Sequence, residues 1–286
     1  MTHSAQSIVT PRSLVRATEL DVLPLGRVLV RRDGYLAVRS PGNPGHYWGN
    51  YLLFDDPPQP GDAERWEALF AQEFADDPRI GHRTFAWDRG DGALGAAREE
   101  FTSRGYEVEI LVGLVAPAGA VAAHPRASTA VTVRALDPAR GADMDVWEQV
   151  VELQVAGEDR FPEDVHRAFC VDRMEELREM FRAGRGAWYV ALDAHREEVL
   201  GSCGVVVTAE RGRFQAVDTA EAHRRKGICS RLVVEAAHRA ASDHRARQLV
   251  ICADPHYHAL GLYESLGFAP AERAAGVCRQ PPENRP

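Results

Sequence analysis

Hydrophobic positions in the second half of the chain switch between two periods. Val131 to Arg134 opens a short apolar alternation, and residues 145–156 carry Trp147, Val150, Val151 and Leu153 on one helical face. Residues 163–181 repeat the helical period, with Pro162 placed at the start, where its missing N–H costs nothing. Gly184 and Gly186 break that run. The apolar stretches 187–192, 199–207 and 214–219 then predict three strands parted by charged turns. From Gly227 to about residue 242, Ile228, Leu232, Val233, Ala236, Ala237 and Ala240 fall at helical spacing. Residues 249–253 (LVICA) predict a buried strand, and a last helix ends at residues 262–268 (LYESLGF). The predicted order is β-α-α-β-β-β-α-β-α-β.

The first half shows a shorter version of that ending. Residues 47–54 predict a strand, 61–74 a helix capped by Asp62, 82–87 a strand, 94–105 a helix and 107–115 a strand. The helix end FTSRGY sits where YESLGF sits in the second half, so the halves look like products of an internal duplication. Between them, residues 116–130 are rich in Ala, Pro, Gly and Ser without periodicity. This divides the chain into domains at 1–118 and 131–286 with a linker at 119–130. The fold class expected is α/β (α+β): a mixed, mostly antiparallel sheet flanked by helices, in two tandem domains.

Composition narrows the function. The 286 residues suit two cores, and a net charge of −8 argues against nucleic acid as a partner. No apolar run approaches a membrane span, and the opening MTHSAQSIVTPRSL lacks a hydrophobic signal core. Cys170, Cys203, Cys229, Cys252 and Cys278 are odd in number and lack C-x-x-C spacing, as expected of reduced thiols in a cytoplasmic protein. His256 and His258, two residues apart, do not share a helix face, so no metal site is expected.

The densest chemical signal is the turn Arg224-Arg225-Lys226-Gly227-Ile228-Cys229, between the strand at 214–219 and its helix. A helix start presents unpaired N–H groups and a partial positive charge, which together hold a pyrophosphate. The turn matches neither the P-loop nor the dinucleotide fingerprint, which argues against ATP and NAD. The corresponding turn of the first half, Asp55-Asp56-Pro57-Pro58-Gln59-Pro60-Gly61, has two acids, three prolines and no cation. It should repel a pyrophosphate.

Arg224-x-x-Gly227-x-Cys229 resembles the R/Q-x-x-G-x-G/A signature of the GNAT acyltransferase superfamily, and residues 259–268 resemble that family's A-x-x-L-Y-E-x-L-G-F element. The resemblance implies a GNAT fold over 131–286, a degenerate GNAT-like domain before it, and acetyl-CoA as co-substrate. It also implies N-acetyl transfer to a primary amine of a small molecule or peptide by direct attack, in a monomer or homodimer. A non-catalytic acyl-CoA-binding module, or a different acyl-CoA reaction on the same fold, are the alternatives. Carried over by position, residues 225–230 (Arg225, Lys226, Gly227, Ile228, Cys229 and Ser230) would hold the pyrophosphate with Arg224. Val217 and Thr219 would pair with the pantetheine arm. His256 stands where the family has an asparagine, and Cys229 where it has Gly or Ala. Tyr263 would protonate the departing thiolate. The general base is open among Asp218, Asp254, Glu221, Glu158 and Asp159.

Overall fold

The computed structural model of the protein describes residues 10–139, 141, 143–195 and 197–281. The start of the N-terminal stretch read for a signal core therefore lies outside the described residues. Helix α1 (Leu14–Asp21) opens the chain and is capped by Ser13, whose hydroxyl accepts from the Arg16 amide. Strands β1 (Val28–Arg32), β2 (Tyr35–Arg39) and β3 (Tyr51–Phe54) follow, then α2 (Asp62–Glu73), β4 (Arg83–Trp87), α3 (Arg98–Ser103) and β5 (Glu107–Pro117). The second half carries β6 (Val131–Ala135), α4 (Met144–Ala156), α5 (Glu163–Arg182), β7 (Gly186–Asp193), β8 (Val199–Thr208) and β9 (Arg211–Thr219). It continues through α6 (Ile228–His244), β10 (Gln248–Ala253), α7 (Ala259–Ser265) and β11 (Ala269–Arg279).

The second half follows the predicted order closely. Three expectations in the first half change. Residues 47–54 split into a 3-10 turn (Tyr47–Gly49) and the strand β3, because the Asn50 side chain ties that turn back. Its amide donates to the Asn43 and His46 carbonyls at 2.9 and 3.1 Å, and its oxygen accepts from the Ser40 amide at 2.9 Å. The helix expected at 94–105 shrinks to α3, since Gly95 packs so tightly on Pro58 that an added Cβ would sit 2.4 Å from its carbonyl. Asp62 is the first residue of α2, not its cap. Gly61 is the cap, at φ +89, and Asp62 instead accepts from the Gln59 amide at 2.8 Å.

All strands join one 11-stranded sheet in the order β1-β2-β3-β4-β11-β5-β10-β9-β8-β7-β6. Pairs β3–β4 and β9–β10 are parallel and the other neighbours antiparallel. The two halves exchange their last strands. β11 lies between β4 and β5 of the first half, and β5 lies between β11 and β10 of the second. Outward from the central β11–β5 pair, each half repeats the same series: a strand, its parallel neighbour, then antiparallel strands.

Aliphatic and aromatic side chains fill separate cores under α2 and α3, under α4 and α5, and under α6 and α7. Helix α1 is held to the second half by buried arginines. Arg213 donates to the Thr18 hydroxyl at 2.7 Å and Arg173 to the Val22 carbonyl at 2.8 Å. Residues 119–130 are also fixed. His238 Nε2 donates to the Val121 carbonyl at 3.0 Å, and the Ser128 amide donates to the Gly227 carbonyl at 3.0 Å.

Candidate active site

The parallel pair β9–β10 holds together only at its start, where Gln248, Leu249 and Val250 pair with Arg211, Gly212 and Arg213. Beyond Arg213 the strands part. β10 keeps its pairing with β5 through Ala253, and β9 keeps its pairing with β8 through Thr219. A β-bulge assists the parting: Ser202 pairs with Asp218 but Gly204 with Gln215, leaving two residues of β9 opposite Cys203. One of them, Ala216, has φ +40, a value that a non-glycine residue adopts only when its surroundings enforce it. The inner edge of β9 therefore offers main-chain groups that no neighbouring strand uses. Val217 packs partly into the core under α6, and Thr219 ends the strand.

The basic turn follows. Arg225 and Gly227 lie in the left-handed region at φ +60 and +75, and Gly227 caps α6. Left-handed residues alternating within a turn aim successive N–H groups into one concavity. Among the described residues, the amides of residues 225–230 donate to no acceptor. The Arg224 Nε donates to the Thr219 carbonyl at 3.3 Å, closing the turn on the strand. Ser230 is buried in the first turn of α6, and Ile228 fills the core. A Cβ added to Gly227 would lie 1.9 Å from the Arg126 carbonyl oxygen and 2.9 Å from the Ser128 amide, so main chain of residues 126–128 packs against the helix start.

Tyr263 on α7 is 4% exposed and accompanies Phe268 in the same core. Among the described residues its hydroxyl has no hydrogen-bond partner yet, unlike those of Tyr51 and Tyr189, is not sealed from solvent. Burial, with Cys229, Cys203 and Asp218 nearby, holds its pKa above the ordinary phenol value, so it remains a proton donor at neutral pH. Asp218 is half-buried at the end of β9. Burial pushes its pKa up to about 6, opposed by Arg224. The structure thus brings Asp218, Tyr263, Cys203 and Cys229 into one electrostatic neighbourhood.

The Cys229 thiol is pushed up to about 12 by burial and by Asp218, which outweighs the helix N-terminus. All five cysteines are free. Asp254 and His256 lie in the turn that follows β10. Both are exposed, and the Asp254 carboxylate accepts from the His256 amide at 2.7 Å in a local turn. Glu221 lies in a 3-10 turn before the basic segment, and Asp159 in the exposed loop after α4. For Glu158, burial works upward, but hydrogen bonds from the Arg160 side chain and amide prevail and lower its pKa. Among the described residues, no group of three His, Cys, Asp or Glu is placed to hold a metal ion. No helix there is long and apolar enough to cross a membrane.

The first half has the same frame in closed form. β3 and β4 pair to their ends, Phe54 with Trp87, and the Asp88 amide then donates to the Phe54 carbonyl at 2.8 Å. Nothing splays. The Gly61 amide at the start of α2 donates to the Glu100 carboxylate at 3.0 Å.

Residues 184–270 match the acetyltransferase (GNAT) domain. That match lies wholly within the second half of the chain. No sequence among curated proteins matches the chain. In overall fold it is similar to a functionally unknown conserved protein from Staphylococcus epidermidis. That likeness has a TM-score of 0.70 at 13% identity, over 90% of this chain and 95% of that one. It is also similar to a GCN5-related N-acetyltransferase from Kribbella flavida, with a TM-score of 0.57 at 13% identity, over 91% and 90%. A tandem GNAT protein from the clavulanic acid biosynthesis pathway gives a TM-score of 0.53 at 17% identity, over 94% and 90%. The mixed, mostly antiparallel GNAT-like sheet is thus a property of the whole chain, while the GNAT sequence pattern lies in its second half.

One residue of this neighbourhood had little signal in the sequence: Cys203 enters through the register of β8 and stands beside no motif residue in the chain.

Proposed function

We propose that this chain is an N-acetyltransferase that moves an acetyl group from acetyl-CoA to a primary amine of a small molecule or peptide. The observation that carries the reading is the splay of β9 from β10, ending on a turn whose amides are free. An extended pantetheine arm can pair with the inner edge of β9 near Val217 and Thr219, leaving the pyrophosphate on residues 225–230. Arg224, Arg225 and Lys226 supply charge. We assign no cofactor to the degenerate first half.

In this reading Asp218 takes the proton of the acceptor ammonium. The free amine then attacks the thioester carbonyl, polarised by a β9 amide near Val217. A tetrahedral oxyanion forms and collapses, the C–S bond breaks as Tyr263 gives its proton to the departing sulfur, and the second proton of the acylated nitrogen restores the Tyr263 phenol. The products are the N-acetyl amine and CoA. The protein would work in the cytoplasm without a metal, as a monomer or homodimer.

Incubation with acetyl-CoA and a panel of amines should release free CoA thiol at a rate that depends on the amine. Tyr263→Phe should cut kcat about 10²-fold while leaving the affinity for CoA unchanged, the size typical of a lost general acid. Tight CoA binding with no turnover of any amine would overturn the assignment.

A further inference from the structure

Arg213 is a buried guanidinium without a counter-charge. It is 6% exposed, and among the described residues no carboxylate lies within salt-bridge distance of it. Arg16, Arg173 and Arg178 are buried as deeply, and each is paired with a glutamate of its own helix, at 2.7, 3.2 and 3.0 Å. An ion buried without a partner is costly, so Arg213 stands out. Its Nη1 donates to the Thr18 hydroxyl at 2.7 Å. Nε and Nη2 have no acceptor among the described residues; Nε is sealed, but Nη2 is not sealed from solvent. Those two nitrogens form the edge of the guanidinium that grips a carboxylate with two bonds, as Arg32 grips Glu73.

Arg213 also stands at the mouth of the site. It is the last residue of β9 that pairs with β10, so the two strands part just beyond it. Its side chain lies on the face of the sheet covered by α1, the helix of Thr18. Asp218 is on that same face, because its neighbours Val217 and Thr219 turn the other way. Val217 packs under α6, and an added Cβ on Gly201 would meet both the Thr219 hydroxyl and Ile228 of α6. Between Arg213 and Asp218, the Gln215 side chain accepts from Arg173 of α5 at 3.4 Å. On β10, Cys252 Sγ shares the α1 face with Val15, both close to where a Cβ of Gly113 would be. Gln215, Asp218 and Cys252 are each half-exposed, so this face opens beyond α1. A row along one strand thus leads from an unpaired cation to the carboxylate read above as the base. The two are five residues apart, on the order of 15 Å between Cα atoms with the bulge. The amine and carboxylate of an α-amino acid share one carbon and are too close together to reach both.

We propose that Arg213 binds a carboxylate of the acceptor, several bonds from the nitrogen that is acetylated. The acceptor is then an ω-amino acid, or a larger molecule with that spacing of amine and carboxylate, laid along β9 with its amine at Asp218. This rests on the acetyltransferase reading for the amine and adds the residue that selects the anion.

The test compares 6-aminohexanoate, its primary amide and hexylamine as acceptors for the full chain, for Arg213→Met and for Arg213→Lys. The unaltered chain should favour the carboxylate over the other two by at least about tenfold in kcat/KM, the size expected for one charged contact, through KM. Arg213→Met should remove that preference, and Arg213→Lys should keep part of it. A variant that is only less well folded would lose activity on all three acceptors alike; a ratio that survives in Arg213→Met overturns the proposal. So does an unaltered chain with no preference for the carboxylate, a result that needs no variant. A preference for succinyl-CoA over acetyl-CoA that vanishes in Arg213→Met would put the carboxylate on the acyl donor, and also overturns it. Should no amine be acetylated, the acetyltransferase reading fails separately. Calorimetric titration of 6-aminohexanoate and its amide into the CoA-loaded protein then decides this one. Tighter binding of the carboxylate that is lost in Arg213→Met supports it, and equal or absent binding overturns it.

Discussion

The Gly61 amide donates to both carboxylate oxygens of Glu100 at 3.0 Å, while at Gly227, the corresponding helix start, no acceptor among the described residues takes the amide. The anion site of the first half is thus occupied by the chain's own carboxylate, and the strands beside it are zipped shut. Calorimetric titration should give one CoA per chain. Glu100→Ala should leave that number at one, because freeing the amide does not part β3 from β4. A stoichiometry of two would contradict this account.

Gly227 is fixed by two separate constraints. Its φ of +75 disfavours any side chain, and an added Cβ would lie 1.9 Å from the Arg126 carbonyl. Gly184 has nearly the same φ, +76, but open space where its Cβ would be. Gly184→Ala should therefore cost only about 1 kcal/mol of conformational strain. Gly227→Ala should cost several times more by urea unfolding, or displace the linker, and should abolish the rise in Tm caused by CoA. Similar losses in both variants would mean that the linker contact carries no weight.

The position of Asp218 gives two opposite pH effects. As a base it must be ionised, so kcat/KM should rise with pH through an apparent pKa near 6. In Asp218→Asn that limb should vanish along with most of the activity. For stability the sign reverses. The unfolded carboxyl ionises near 3.8 and the folded one near 6, so between those values the unfolded state loses its proton first and stability falls. Asp218→Asn should therefore stabilise the protein at pH 7 by about 2 kcal/mol and show little effect below pH 4. A destabilised variant at pH 7 would show that the carboxylate is structurally required.

The second half is legible in the sequence because its elements are long and their periods clear. The helices α5 and α6 and the turn at Gly227 all follow from local spacing and turn chemistry. In the first half the region before residue 47 carries α1, β1 and β2, whose short mixed-polarity segments have weak periodicity. Helix α1 is set by tertiary contacts, through Thr18 and Val22 to arginines 195 and 151 residues away. The strand exchange is invisible locally, since β5 and β11 would look the same in either sheet position.

The exchange bears on whether the halves can stand alone. β11 lies between β4 and β5, with Ala274, Ala275 and Val277 each at most 2% exposed. Removing residues 269–286 would bare the inner edges of both strands and open the core under α2 and α3, to which Ala275 and Val277 belong. The loss would fall on the half that does not contain the deleted residues. Fragments 1–130 and 131–286 should therefore be unfolded when made separately, with no cooperative melt. Co-expressed, they should assemble into a complex that binds CoA, since the sheet can close only when β5 and β11 pair. A cooperative melt from either fragment alone would show that the exchanged strand is dispensable and that each half is a domain in its own right.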